Sequence, residues 1–157
     1  MSYDLEIKEA ELKDIDAVIE IAKLSFEKYD GKKYGMSFDP LSVDFLYKNT
    51  IKSETQKLFV ATNNNVVVGA IHAVITPTLF DYNKTIITEI GMQANPILTK
   101  IKQTKIILSL INFLEIYAKK HSIDLISFNI TPDFDISGKL IKKQYKLIDK
   151  VLSKEVN

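Results

Sequence analysis

Val66-Val67-Val68-Gly69-Ala70-Ile71-His72-Ala73-Val74-Ile75 carries a single polar side chain, and β-branched residues fill most of it. A membrane helix needs about 20 apolar residues, so a run this short, rich in Val and Ile, reads as a β-strand. Immediately before it, Asn63-Asn64-Asn65 follows Leu58-Phe59-Val60-Ala61-Thr62, a second strand-like run. Asparagine tolerates positive φ, so the three residues suit a hairpin turn. Immediately after it, Pro77 and Asp81-Tyr82-Asn83 lead to a third β-rich run over residues 85–93. The two long runs, 66–75 and 85–93, are expected to be antiparallel neighbours in a central sheet.

Working outward, Leu5-Glu6-Ile7-Lys8 alternates as a short strand does. Ile15, Val18, Ile19 and Ala22 recur at helical spacing, with Asp14 placed as an N-cap. Residues 29–38 hold Asp30-Gly31 and Gly35 and read as a loop. A second helix is expected from Pro40 to about Ile51. On the C-terminal side, Leu110, Ile111, Leu114 and Ala118 share one face of a helix over 108–120. Residues 125–130 read as a buried strand, 137–143 as a short helix, and a last strand follows Tyr145. The order is β-α-α-β-β-β-α-β-α-β.

The chain has 157 residues, 46% hydrophobic and 26% charged, with a net charge of +1. These values suit one soluble domain over residues 1–157, able to hold a core without staples. The charge supplies no field for nucleic acid or a membrane. There is no cysteine, which excludes disulfides, zinc–thiolate sites and cysteine nucleophiles. The only histidines, His72 and His121, are far apart, and no carboxylate motif links them into a metal site. Met1-Ser2-Tyr3-Asp4 lacks the basic stretch and apolar core of a signal peptide, so the cytoplasm is the expected location.

Four stretches, in order, resemble the GNAT acyl-coenzyme A transferases. Ile7-Lys8-Glu9-Ala10 followed by Asp14 is similar to that family's first strand and helix. Val66-Val67-Val68-Gly69-Ala70 is similar to its x-V-V-G strand. Ile75-Thr76-Pro77-Thr78-Leu79-Phe80, with Pro96 beyond the next strand, resembles a subgroup common in phage genomes. Ser137-Gly138-Lys139-Leu140-Ile141-Lys142-Lys143-Gln144-Tyr145 resembles the family's C-terminal helix, with Ile141 at its tyrosine position. The resemblance spans residues 5–156. It implies an α/β (α+β) fold with a mixed, mostly antiparallel sheet flanked by helices on both faces. It also implies acetyl-CoA as co-substrate, an amine of a small molecule or protein as acceptor, and a homodimer among the assemblies to expect.

By the same resemblance, the cofactor's pyrophosphate loop falls on Lys102-Gln103-Thr104-Lys105-Ile106-Ile107. Lys105 and Ile107 then stand where the family has glycine, and bulk there should weaken cofactor binding. Glu89 falls on the strand where several members carry a glutamate base. Acyl transfer needs a neutral amine, and a lysine-type ammonium has a pKa near about 10.4, so a base must remove its proton. His72 and Tyr34 are candidate acceptor-pocket residues. Tyr29, Phe38 and Phe45 flank the same region, and His121 reads as a helix-end residue. Two functions follow: an N-acetyltransferase, or a GNAT-like domain without catalysis that binds a protein partner or senses coenzyme A.

Overall fold

The computed structural model describes residues 4–30, 35, 37–130 and 135–146. Five strands form one sheet in the order β1 (Glu6–Glu9), β2 (Gln56–Asn63), β3 (Val66–Pro77), β4 (Thr85–Ala94), β5 (Leu125–Ser127). Neighbours run antiparallel except β4 and β5, which are parallel. Parallel neighbours need a crossover, and here it is helix α3 (Lys100–Lys120). Helices α1 (Ile15–Ser25) and α2 (Pro40–Ile51) precede β2, and α4 (Ser137–Lys142) follows β5. The β2–β3 turn has Asn64 and Asn65 at φ 50° and 63°, the two positive values a tight hairpin needs.

The sheet separates two apolar layers. Leu58 and Val60 of β2 pack with Ile15, Val18 and Ile21 of α1 on one side. Phe59 and Ala61, one residue out of phase, pack with Ile106, Leu110 and Leu114 of α3 on the other, where Leu140 of α4 also lies. This alternation is the strand period made visible. Gly69 permits the closest approach: a Cβ there would lie 2.5 Å from Ile106 Cγ2 and 2.9 Å from the Gln93 carbonyl oxygen.

Four local expectations change. Asp14 does not cap α1 with its side chain. Its carboxylate instead accepts from the Glu11 N–H at 2.9 Å and pairs with Lys8 at 3.0 Å, closing a 3-10 turn over Leu12–Asp14. Phe26–Asp30 continues α1 as a π-helical turn, so Tyr29 and Asp30 are helical. Helix α3 begins at Lys100, because Gln103, Ile106 and Ile107 continue the buried stripe of Leu110 and Leu114 backward at helical spacing. Strand β5 ends at Ser127, because Asn129 turns to bind β4. The strand expected after Tyr145 lies outside the described residues.

Candidate active site

Two irregularities in β4 create the site. In the β3–β4 ladder His72 faces Gly91 and Ala73 faces Glu89, leaving Ile90 as an extra, bulged residue. On its other edge β4 pairs with β5 only from Ile86↔Leu125 to Thr88↔Ser127. Beyond Thr88 the β4 edge has no strand partner on that side among the described residues. A cleft of ≈ 340 Å³ opens where the strands part. Its walls come from both faces of the sheet: Ser25 and Tyr29 from the α1 side, Gln103 and Ile107 of α3 and Ile136 beside α4 from the other.

Glu89 sits in this cleft and is only 3% exposed. Its Oε2 accepts from the Asn129 backbone N–H at 3.0 Å, and Asn129 Nδ2 donates to the Glu89 carbonyl at 2.7 Å. The two residues therefore clamp the mouth of the parted strands. Burial pushes the Glu89 carboxyl up to about 7, against the smaller lowering effect of the Asn129 N–H. The result is a carboxyl that exchanges protons near neutrality, held in place by main chain.

The strand-to-helix connection, residues 95–99, joins Ala94 of β4 to α3, both of which line the cleft. Ile97 N–H donates to Asn95 Oδ1 at 3.0 Å, a side-chain turn that shapes the segment. Gln103, buried at 5% exposure, donates through Nε2 to the Leu98 carbonyl at 2.6 Å. Lys28 reaches from the π-helical turn to donate to the Pro96 carbonyl at 3.0 Å. The first turn of α3 holds no acidic residue, and Thr99 gives it no side-chain cap. Lys100 and Lys102 thus lie at the positive end of the helix dipole, where an anion rather than a cation is favoured.

The remaining expected site residues divide. Lys102-Gln103-Thr104-Lys105-Ile106-Ile107 is not a loop but part of α3. Ile106 and Ile107 are core residues, and Thr104 Oγ1 donates back to the Lys100 carbonyl at 2.9 Å. Lys105 and Ile107 therefore crowd no loop backbone; the N–H groups that an α-helix leaves without an intrahelical acceptor belong to its first turn, at the start of α3. Of the six, Gln103 and Ile107 line the cleft. His72 does not. It faces α2, with Nε2 3.1 Å from Gln56 Oε1 and 3.2 Å from Thr50 Oγ1, and Tyr47 meets its ring edge-on at 5.8 Å. Burial lowers its pKa, so it is a neutral, hydrogen-bonded core residue. Tyr34 lies outside the described residues. Tyr29 lines the cleft, Phe38 packs on Phe26 at 5.8 Å, and Phe45 is exposed on α2. His121 ends α3 and stacks on Tyr117 at 4.1 Å. Sequence reasoning missed Asn129 and Ser25. Asn129 had one signal, a polar residue interrupting an apolar strand; Ser25 had none.

No family model matches the chain, and no curated protein matches it. Solved structures do. A transcriptional regulator from Bacillus halodurans C-125 superposes with TM-score 0.78 at 20% identity, over 98% of this chain and 100% of that one. A predicted acetyltransferase from Clostridium acetobutylicum, solved with acetyl-CoA, gives 0.65 at 17% identity, over 98% and 96%. An aminoglycoside acetyltransferase from an uncultured soil metagenomic sample, in complex with sisomicin, gives 0.67 at 13% identity, over 98% and 95%. The fold is therefore GNAT-like: a mostly antiparallel five-stranded sheet flanked by helices, shared with acetyltransferases.

Proposed function

We propose that the protein is an N-acetyltransferase that moves an acetyl group from acetyl-CoA to a primary amine, with Glu89 as the base. The observation that carries this reading is the parting of β4 and β5 at Glu89, beside a cleft walled by residues from both faces of the sheet. Donor and acceptor can then approach one carboxyl from opposite sides.

The chain's groups fit the donor. Among the described residues, the β4 edge from Ile90 to Ala94 has no strand partner on the β5 side, and backbone N–H and C=O groups there suit an extended arm that carries amides. The uncapped start of α3, with Lys100 and Lys102, suits a diphosphate. Lys102 and Gln103 keep a place in cofactor binding through that helix start and the loop it holds. When bound, acetyl-CoA supplies a thioester-activated acyl carbon. Glu89 takes the proton of the bound ammonium, the neutral nitrogen then bonds that carbon, the C–S bond breaks as sulfur leaves with the electron pair, and the surplus proton on nitrogen passes to the thiolate. With Ile141 58% exposed at the family's tyrosine position, the leaving thiolate, with a pKa near about 8.5, departs without that acid.

The test combines titration calorimetry with acetyl-CoA and a thiol-release assay against primary amines. Acetyl-CoA should bind, and Glu89→Gln should leave its affinity unchanged while slowing turnover by about 10²–10⁴-fold. The deficit should shrink at high pH, where the amine is already neutral. Absence of acetyl-CoA binding would overturn the enzyme reading in favour of a GNAT-like domain without catalysis.

A further inference from the structure

The turn between β3 and β4 reverses the usual arrangement of a surface loop. Turn side chains are ordinarily small and polar, yet Leu79, Phe80 and Tyr82 are 83%, 95% and 83% exposed. The polar groups of the turn bond one another instead. Thr78 N–H donates to the Lys84 carbonyl at 2.8 Å, and Thr78 Oγ1 donates to the Asp81 carbonyl at 2.7 Å. Lys84 N–H donates to that same Asp81 carbonyl at 3.0 Å, and Asn83 N–H to Asp81 Oδ1 at 3.0 Å. The backbone is held in shape from within, so the outward apolar side chains are already ordered for a contact.

Beside the turn lies a groove of ≈ 420 Å³, lined by Pro77, Leu79, Tyr82, Ile86 and Leu125. Ile86 and Leu125 are partners in the β4–β5 ladder, and Leu125 is half-exposed. Projection and groove therefore share one face. A twofold axis through that face sets Phe80 of each copy against the groove of the other, the self-complementary contact of closed dimers. The area suffices. A covered Phe or Tyr buries about 150–250 Å², so Phe80 and Tyr82 with Leu79 and Leu125 supply roughly 500 Å² from each copy. Two copies reach about 1,000 Å², the lower limit for a specific interface. Charge agrees with area. Asp81 and Lys84 lie in the turn, and Asp124 pairs with Lys84 at 3.5 Å. Mixed signs give no field to repel a second copy or to draw in a polyanion or polycation.

We propose that this face joins two copies of the chain, with Phe80 of each seated in the groove of its partner. The groove takes nothing from β4 beyond Ile86, whereas the cleft takes β4 only from Glu89 onward. Pairing and acetyl transfer are thus separate properties, and neither depends on the other.

Sedimentation equilibrium of the full chain over about 5–500 µM tests this, with wild type, Phe80→Ser and Tyr82→Ser. Wild type should pass from the 17.9 kDa monomer to twice that mass with a Kd of about 1–100 µM, not weakened by added salt. Phe80→Ser should weaken association about 30-fold or more, and Tyr82→Ser about tenfold. Tm at the lowest concentration should match wild type in both, because the two side chains face solvent in the monomer. A wild type that stays monomeric throughout overturns the proposal. Anilinonaphthalenesulfonate fluorescence lost in Phe80→Ser would then give the face to a different apolar partner. A dimer that survives Phe80→Ser, or that salt dissociates, overturns this face as its interface. A lowered Tm of Phe80→Ser at the lowest concentration would place Phe80 in the monomer's own core and overturn it equally.

Discussion

Glu89 shows the cost of a site written into one side chain. Its pKa rises from 4.5 to about 7 because the folded protein buries the carboxyl. The folded state therefore holds the proton more tightly than the unfolded chain does. Stability from this group is complete below pH 4.5 and declines as pH rises through about 7, by about 3 kcal/mol in all. Glutamine keeps the shape and carries no charge. Glu89→Gln should thus be as stable as wild type at pH 4.5 and up to about 3 kcal/mol more stable at pH 8. Urea unfolding at both pH values checks this, and an equal difference at the two would mean that the carboxyl is not buried. Glutamate in a strand was legible in the sequence; its burial was not, because the groups around it come from distant segments, among them Asn129, 40 residues away.

At the scale of elements, apolar periodicity outperformed motif counting. Gln103, Ile106, Ile107, Leu110, Ile111, Leu114 and Ala118 form one stripe, and every one of them is buried. The stripe was readable in the residues, whereas spacing borrowed from a family pattern put a loop across its first half. Helix ends follow local chemistry just as closely. Helix α3 stops with Ser122 at φ 56°, Ser122 N–H on the Lys119 carbonyl at 3.3 Å and Ile123 N–H on the Ala118 carbonyl at 2.9 Å. This is the paired-bond ending in which glycine is preferred. A left-handed conformation costs a side-chain-bearing residue about 1–2 kcal/mol, and the greater freedom of glycine in the unfolded chain offsets part of it. Ser122→Gly should stabilise the protein by about 0.5–1 kcal/mol in chemical denaturation. A loss of stability would show that the serine side chain makes a contact worth more than the strain.

At the scale of the molecule, net charge hides distribution. The chain carries 21 basic and 20 acidic side chains, yet the first turn of α3 has lysines and no acid. Lys100 is exposed at the positive end of the dipole, so Lys100→Glu should stabilise the unliganded protein by about 0.3–1 kcal/mol. The same change should weaken acetyl-CoA binding about tenfold, and added salt should narrow the gap. Opposite signs in the two measurements, thermal unfolding and calorimetry, would mark a charge placed for a ligand. Reduced stability with unchanged affinity would remove the helix start from the donor site.

Local pattern sufficed for much of this protein. Alternation and β-branching specify β2, β3 and β4, the asparagines specify their hairpin, and the apolar stripe specifies α3, because each is decided by neighbours within a few residues. The tertiary structure alone decided the site. The bulge at Ile90, the parting of β4 from β5 and the Asn129 clamp on Glu89 all arise where distant segments meet. His72 and Glu89 illustrate the division. Both are polar residues within apolar strands, and nothing nearby in sequence separates them. His72 meets Thr50 and Gln56 across the core and is satisfied, whereas Glu89 meets an open cleft and a single main-chain N–H. Hydrogen-bond partners of this kind are set by packing between elements, not by the order of residues along the chain.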